Sequence, residues 1–304
     1  MVITPSSRIY IAGCGGMLGD AVYKEFSDAH VKATDINLCE PWLSRGDVRD
    51  PRGMRESIEA FKPDAIINLA AHTDLEHCER EQEDAWLTNA FGAENLGSIA
   101  QGLGIPYVYI STAGIFGGEK EFYNDFDAPN PLSIYAKSKY YGEQYALRSV
   151  SKHYVFRAGW MMGGGPAKDK KFVNKIFKQI AAGRKTLEVV DDKLGTPTYT
   201  VDFARGIRRL LESGQYGLYN QVCGGSGSRY DVAVEFVRLL GLERTVSVER
   251  VSSERFQREY FAQRPASESL VNMKLNQRGL NVMRDWRECL KDYAETYRMV
   301  LETA

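Results

Sequence analysis

A chain of 304 residues that is 43% hydrophobic and 26% charged has the balance of a folded globular protein, which excludes a mainly disordered one. Its 39 Lys and Arg against 40 Asp and Glu leave a net charge of −1, which argues against a general nucleic-acid binder. No run of about 18 apolar residues signals a membrane span, the first residues lack the basic and apolar parts of a leader peptide, and five scattered cysteines (Cys14, Cys39, Cys78, Cys223, Cys289) without a C-x-x-C point to free thiols in a cytoplasmic protein.

In chain order, residues 8–12 form a predicted strand and 17–26 a helix with Leu18, Val22 and Phe26 on one face. A short strand follows at 31–34, a helix at 49–61, a buried strand at 65–70 and a long helix at 79–101. Residues 107–110 make another strand. Asn130-Pro131 reads as a helix N-cap with proline at the first helical position, opening a helix to about 149. A fifth strand spans 153–156. Strands alternating with helices at this spacing predict an α/β protein, a doubly wound parallel sheet covered on both faces. Its ligand belongs beyond the carboxyl ends of the strands.

After residue 158 the alternation weakens. Gly163-Gly164-Gly165-Pro166 and the basic residues 168–171 make a loop, and helical patterns follow at 172–182, 201–213, 231–240 and 286–301. The expected division is a dinucleotide-binding domain at 1–158, rejoined by about 195–222, and a smaller substrate domain formed mainly by 159–304.

The segments after the strands carry the unusual residues. The first strand runs into Gly13-Cys14-Gly15-Gly16-Met17-Leu18-Gly19. Gly13, Gly16 and Gly19 suit a tight turn, close approach of backbone to a pyrophosphate, and close helix packing. The helix opening there, at Met17 and Leu18, offers unpaired N–H groups and a positive dipole end to phosphate. Asp35 ends the second strand, 22 residues after Gly13. A carboxylate there accepts hydrogen bonds from an adenosine ribose and repels a 2′-phosphate, which favours NADH over NADPH. Asp47 and Val48 follow, placed to flank the adenine.

Ser111-Thr112 follows the fourth strand, and Tyr135 and Lys139 lie one helical turn apart on one face of the next helix. The expectation is that the ammonium lowers the tyrosine pKa from about 10. The phenol then hands its proton to a carbonyl oxygen as the carbonyl carbon is reduced, while Thr112 holds the same oxygen. A Tyr-x-x-x-Lys alone is weak in a chain with 17 tyrosines. Its order after the glycine loop, Asp35 and Ser111-Thr112 gives it weight.

With these residues in place the chain resembles the extended short-chain dehydrogenase/reductases, and among them the dTDP-4-dehydrorhamnose reductase family. The similar segments are Asn68-Leu69-Ala70-Ala71-His72-Thr73, Asn89-Ala90, Tyr123-Asn124-Asp125-Phe126 and Asn130-Pro131-Leu132-Ser133-Ile134-Tyr135-Ala136-Lys137-Ser138-Lys139. Farther on are Arg157-Ala158-Gly159-Trp160, Gly195-Thr196-Pro197-Thr198, Arg264-Pro265 and Trp286. The resemblance implies a Rossmann-type fold and reduction of the 4-keto group of a nucleotide-diphosphate 6-deoxy sugar with NADH or NADPH. It implies that Tyr135 donates the proton, that Lys139 supports it and holds the nicotinamide ribose, and that Thr112 holds the oxygen. Ala70, Ala71 and Asn89 would lie along the cofactor. Thr73, Leu75, Ala113 and Trp160 would face the sugar nucleotide. Family members often form homodimers.

One departure is informative. After Ser-Thr the family usually has Asp-Tyr, and here Ala113-Gly114 stands instead. Two hydrogen-bonding side chains are thereby missing from the expected sugar pocket, which points to a different keto-sugar. The sugar-nucleotide dehydratases of the superfamily use Asp-Glu at these positions, and Ala113-Gly114 cannot transfer protons. A 4-epimerase, and a non-catalytic regulatory subunit like that of methionine adenosyltransferase, are the alternatives. Arg264, a bidentate donor, is the expected phosphate grip, and Lys168, Lys170 and Lys171 are weaker candidates. His72, His77 and Cys78 match no zinc spacing, so no metal is expected. Trp286 reads as core.

Overall fold

The computed structural model describes residues 1–303. Six strands, β1 (Arg8–Ala12), β2 (His30–Asp35), β3 (Leu43–Arg45), β4 (Ala65–Asn68), β5 (Tyr107–Thr112) and β6 (His153–Ala158), combine with a later strand at Gly217–Asn220. They form one seven-stranded sheet in the order β3, β2, β1, β4, β5, β6, Gly217–Asn220, and every pair is parallel. This is the doubly wound arrangement expected from the alternation. Its strand order reverses between β1 and β4, which opens a crevice at their carboxyl ends.

Side-chain alternation divides the core in two. Ile9 and Ile11 of β1, Ala65 and Ile67 of β4, Val108 and Ile110 of β5, and Tyr154 and Phe156 of β6 point to one face. Tyr10, Ala12, Ile66, Tyr107, Tyr109 and Val155 point to the other. β4 and β5 are buried along their whole length, which is why they read as near-continuous apolar runs. On the first face the core continues without a break into the second half of the chain, reaching Leu187, Val189, Phe236 and Trp286. Trp286 is fully buried there.

Helices are α1 (Met17–Glu25), α2 (Pro51–Phe61) and, after β4, a broken run. The single long helix expected over 79–101 is instead Leu75–Arg80, Gln82–Trp86, a π-helical turn at Leu87–Phe91, and Gly92–Leu103. The wide turn has a purpose. It carries Asn89, whose side chain accepts from the His72 N–H at 2.8 Å and donates to the His72 carbonyl at 3.1 Å and to Ser138 Oγ at 3.1 Å.

The expected cap at Asn130-Pro131 is also corrected. The helix bearing Tyr135 and Lys139 spans Ile134–Ser149, and its N-cap is Ser133, whose hydroxyl accepts from Ala136 N–H. Asn130 is spent elsewhere: its amide donates to the carboxylate of Glu119. The Ile134 N–H is taken by Glu79 at 2.8 Å, so this helix is pinned at its first turn from a neighbouring element.

A buried ion pair ties that helix to β6. Arg157 donates through Nη2 and Nε to Glu143 at 2.6 and 3.1 Å, with both side chains almost wholly buried. Two parallel bonds satisfy the desolvated charges, the condition under which such a pair holds. Asp125 acts as a second knot, accepting from the N–H groups of Asn220 and Lys274. All five cysteines are free. Among the described residues no helix is long and apolar enough to cross a membrane.

Candidate active site

The glycine loop sits where β1 meets α1, at the crevice. Gly13 has φ +74°, and a Cβ there would lie 2.3 Å from Ala70 N. The loop after β1 and the loop after β4 therefore touch backbone to backbone, and only glycine allows it. Gly19 is equally tight against the Cys14 carbonyl, at 2.1 Å for an added Cβ. Gly16 differs: nothing lies within 4 Å of its absent side chain. It is the N-cap of α1 and offers no side chain to cap it, so no side chain takes up the first N–H groups of the helix. That combination fits a pyrophosphate. Leu18 is buried in the core, so its contribution to the loop is its backbone.

Asp35, at the end of β2, accepts from Gly15 N–H and Asn37 N–H, both at 2.9 Å. The carboxylate is thereby fixed at the mouth of the loop. Ala70 and Ala71 are half-buried, Ala70 against Gly13. Asn89 is buried, and its amide is used to hold His72 and Ser138, so it braces the loop instead of reaching the crevice as expected. Val48 is also buried, packed under Gly92. Asp47 is gripped by Arg49, with Nε and Nη2 donating at 2.9 and 2.7 Å.

At the end of β5 the chemical groups converge. A Cβ on Gly114 would lie 3.5 Å from Thr112 Oγ1 and 3.9 Å from a ring carbon of Tyr135, so the two hydroxyl-bearing side chains flank this glycine. A bulkier residue in the place of Gly114 would fill the space between them. Lys139 is buried, with Nζ 4.3 Å from the centre of the Tyr109 ring.

The electrostatics correct one expectation. Tyr135 is not made more acidic: burial first, and the Glu268 charge after it, push its pKa up to about 12, while the Thr112 hydroxyl pulls the other way. Lys139 moves down to about 7, because burial penalises its ammonium and the Glu143 carboxylate only partly offsets this. A desolvated ammonium that loses its proton near neutrality cannot pull the phenol far down. The phenol stays protonated at working pH, the form a proton donor needs.

Lys139 therefore supplies a pH prediction. The free enzyme should lose kcat/KM as pH rises through about 7, because the ammonium that supports the phenol is lost there. Lys139→Arg should move that limb to higher pH, and a pH profile of kcat/KM checks it. For stability the sign is opposite. The unfolded chain holds the lysine proton up to about pH 10.4 and the folded one does not, so stability rises with pH across that window. Lys139→Met should raise Tm at pH 6 by an amount on the order of 5 °C, read by thermal unfolding.

The second half of the chain supplies the far wall. Trp160 follows β6 and donates through Nε1 to Glu268 at 3.2 Å. The Arg229 guanidinium stacks on Trp160 at 3.7 Å from the ring centre and lies 5.1 Å from Phe172. Burial, the main cause, lowers the Arg229 pKa to about 10 and raises that of Glu268. Sequence reasoning missed both residues. Arg229 is the first residue of a helix capped by Ser228, and Glu268 lies in a two-residue strand paired with Leu194–Gly195. Neither position carries a spacing signal.

Other expected substrate contacts are reassigned. Arg264 is not a free phosphate grip: its Nη1 lies 2.8 Å and its Nη2 3.0 Å from the carboxylate of Glu76. Ala113 is fully buried in a small cluster with Ile115, Phe116, Tyr123, Val222 and Leu270, so its methyl does not face the crevice. Thr73 is exposed and is held by Lys171, whose Nζ donates to its carbonyl and hydroxyl at 3.0 and 2.9 Å. Leu75 opens the neighbouring helix, half-buried. Lys168 is paired with Asp20 and Glu40 at 3.1 and 2.8 Å, which folds the basic loop down over the glycine loop. Lys170 is exposed.

Comparison with known proteins shows the family and the fold. The family model described as RmlD substrate binding domain matches residues 7–299. The spore coat polysaccharide biosynthesis protein SpsK of Bacillus subtilis is 30% identical over 290 residues, covering 95% of this chain and 97% of its own. Among solved structures, a dTDP-4-dehydrorhamnose reductase of Clostridium acetobutylicum superposes with a TM-score of 0.86 at 34% identity, covering 97% of this chain and 99% of its own. The dTDP-4-dehydrorhamnose reductase of Bacillus anthracis in complex with NADP also has a TM-score of 0.86, at 29% identity, covering 95% and 98%. By sequence and by fold, the chain belongs to the RmlD substrate binding domain family.

Proposed function

We propose that the protein is an NAD(P)H-dependent reductase of the 4-keto group of a nucleotide-diphosphate 6-deoxy sugar. The observation that carries this is the pairing of Thr112 with Tyr135 across Gly114, at the carboxyl end of β5, with the glycine loop opening at the adjacent switch point. Family membership and the NADP held by the similar B. anthracis reductase support it.

The residues present fit a dinucleotide: the free helix N-terminus above Gly16 and the space beside it would hold the pyrophosphate, and Asp35 the adenosine ribose. The Asp35 carboxylate disfavours a 2′-phosphate, which favours NADH. When bound, the nicotinamide supplies hydride to the carbonyl carbon. The protein's part is the proton and the developing charge. Thr112 holds the carbonyl oxygen, and the Tyr135 phenol gives it a proton as negative charge grows there. Lys139 supports the phenolate left behind. We assign residues 1–158 with about 195–222 to the cofactor side and 159–304 mainly to the substrate side, where Trp160, Arg229 and Glu268 supply polar groups to the pocket. Binding without catalysis does not require a hydroxyl, a phenol and an ammonium in this relation, so the set favours a reductase over a regulatory subunit.

The experiment is a panel of 4-keto nucleotide sugars, each followed by loss of dihydronicotinamide absorbance with NADH and with NADPH. Turnover of at least one dTDP-linked 4-keto-6-deoxy sugar is expected, with the lower KM for NADH. No oxidation of either cofactor by any member would overturn the proposal.

A further inference from the structure

Outside the site described above, one cluster has the chemistry of a ligand set. His72 follows directly on Ala70-Ala71, His77 lies on the helix Leu75–Arg80, and Asp84 lies on the helix Gln82–Trp86. His72 Nε2 is 2.6 Å and His77 Nε2 3.3 Å from the same Asp84 oxygen, Oδ2. The two imidazoles stack at 4.8 Å between ring centres, and no two of the three donor atoms are more than 4.8 Å apart. Among the described residues, no other three His, Cys, Asp or Glu side chains converge in this way.

We propose that His72, His77 and Asp84 bind a divalent transition-metal ion, Zn(II) being the best match. Two imidazole nitrogens and one carboxylate oxygen are the donor set such an ion takes, at about 2.0–2.2 Å each, which places donors roughly 3.3 Å apart around a tetrahedral centre. The His77–Asp84 separation already has that value, and the side chains are each about one-third exposed, which leaves the imidazoles room to adjust around the carboxylate. The same exposure leaves an entry path and a fourth position for water.

The surroundings support a ligand role. Arg49 Nη1 holds the other oxygen of Asp84, Oδ1, at 2.8 Å, which fixes the carboxylate as a one-oxygen donor turned to the imidazoles, the service an outer partner gives a metal ligand. Its positive charge is balanced by Asp47 on its other nitrogens. The sequence spacing hid this set, since it pairs a loop histidine with residues on two short helices separated by the break at Glu81. The site is a clip: it ties the segment 72–84 together next to the cofactor loop, and no reaction step passes through it.

The test is calorimetric titration of the purified protein with Zn(II), on a Cys39→Ser background because Cys39 is the exposed thiol, with Mg(II) as the hard-cation control. Saturable one-to-one binding of Zn(II) and none of Mg(II) is expected, with a higher Tm in the presence of Zn(II). His77→Ala and Asp84→Asn should each weaken binding at least tenfold while leaving circular dichroism unchanged. Absence of saturable Zn(II) binding, or unchanged affinity in both variants, would overturn the proposal. This outcome is independent of the reductase reading, because it requires no turnover.

Discussion

Replacing Tyr135 by phenylalanine is expected to lower kcat by about 10²–10⁴-fold, the usual contribution of a positioned proton donor. The ring keeps its place on the first turns of the helix Ile134–Ser149, so the fold should be unaffected. Only the phenolic hydroxyl beside Thr112 disappears. The glycine loop is untouched, so cofactor affinity, followed by quenching of protein fluorescence, should change less than threefold. KM for the keto-sugar should move little, because Thr112 and the wall of Trp160, Arg229 and Glu268 remain. A loss in kcat with both affinities intact identifies an interaction made at the transition state. A variant that retains more than a tenth of the wild-type kcat would show that the proton comes from elsewhere.

The second large effect belongs to Gly13. An alanine there meets two penalties at once. Its φ of +74° is unfavourable for any side chain, and its Cβ would sit 2.3 Å from the backbone nitrogen of Ala70, where no flexible side chain can give way. Gly13→Ala should cost about 2–4 kcal/mol of stability and displace the Ala70-Ala71 loop, so that cofactor binding is lost as well. Gly16→Ala is the informative contrast. Gly16 has an extended backbone, φ −85° and ψ −178°, and no atom near its absent side chain. Its alanine variant should melt within a degree or two of wild type and still bind cofactor at least tenfold more weakly, because the methyl occupies the space a pyrophosphate would enter. Thermal unfolding of both variants without cofactor, alongside calorimetric titration with NADH, separates the two. Equal Tm for Gly13→Ala and wild type would contradict the backbone contact.

Much of this site is legible along the chain because its parts are local. A glycine trio between a buried strand and an amphipathic helix, a carboxylate at the end of the next strand, and Tyr135 and Lys139 one turn apart each depend on neighbours within a few residues. The elements that were misread show where local pattern stops. The stretch 79–101 has helical periodicity throughout, yet Asn89 must serve both the His72 backbone and Ser138, and the helix widens to let it. Asn130-Pro131 has the composition of a cap, but Ser133 has the geometry, and Glu79 from another element closes the helix start.

The alternation of strands and helices over the first 158 residues, the turn chemistry at Gly13 and the spacing of Tyr135 and Lys139 are properties of the amino-acid sequence alone, since backbone conformation and burial periodicity act over a few residues. The tertiary structure decided which charges are free. Arg264 is spent on Glu76, 188 residues away. Arg229 stacks on Trp160, Glu268 from a two-residue strand is brought near Tyr135, and His77 and Asp84 close on His72. The physical reason is that electrostatic partnership depends on distance through space and on the local loss of water. Both are set by how the two halves of the chain pack, and the periodicity of either half carries no trace of them.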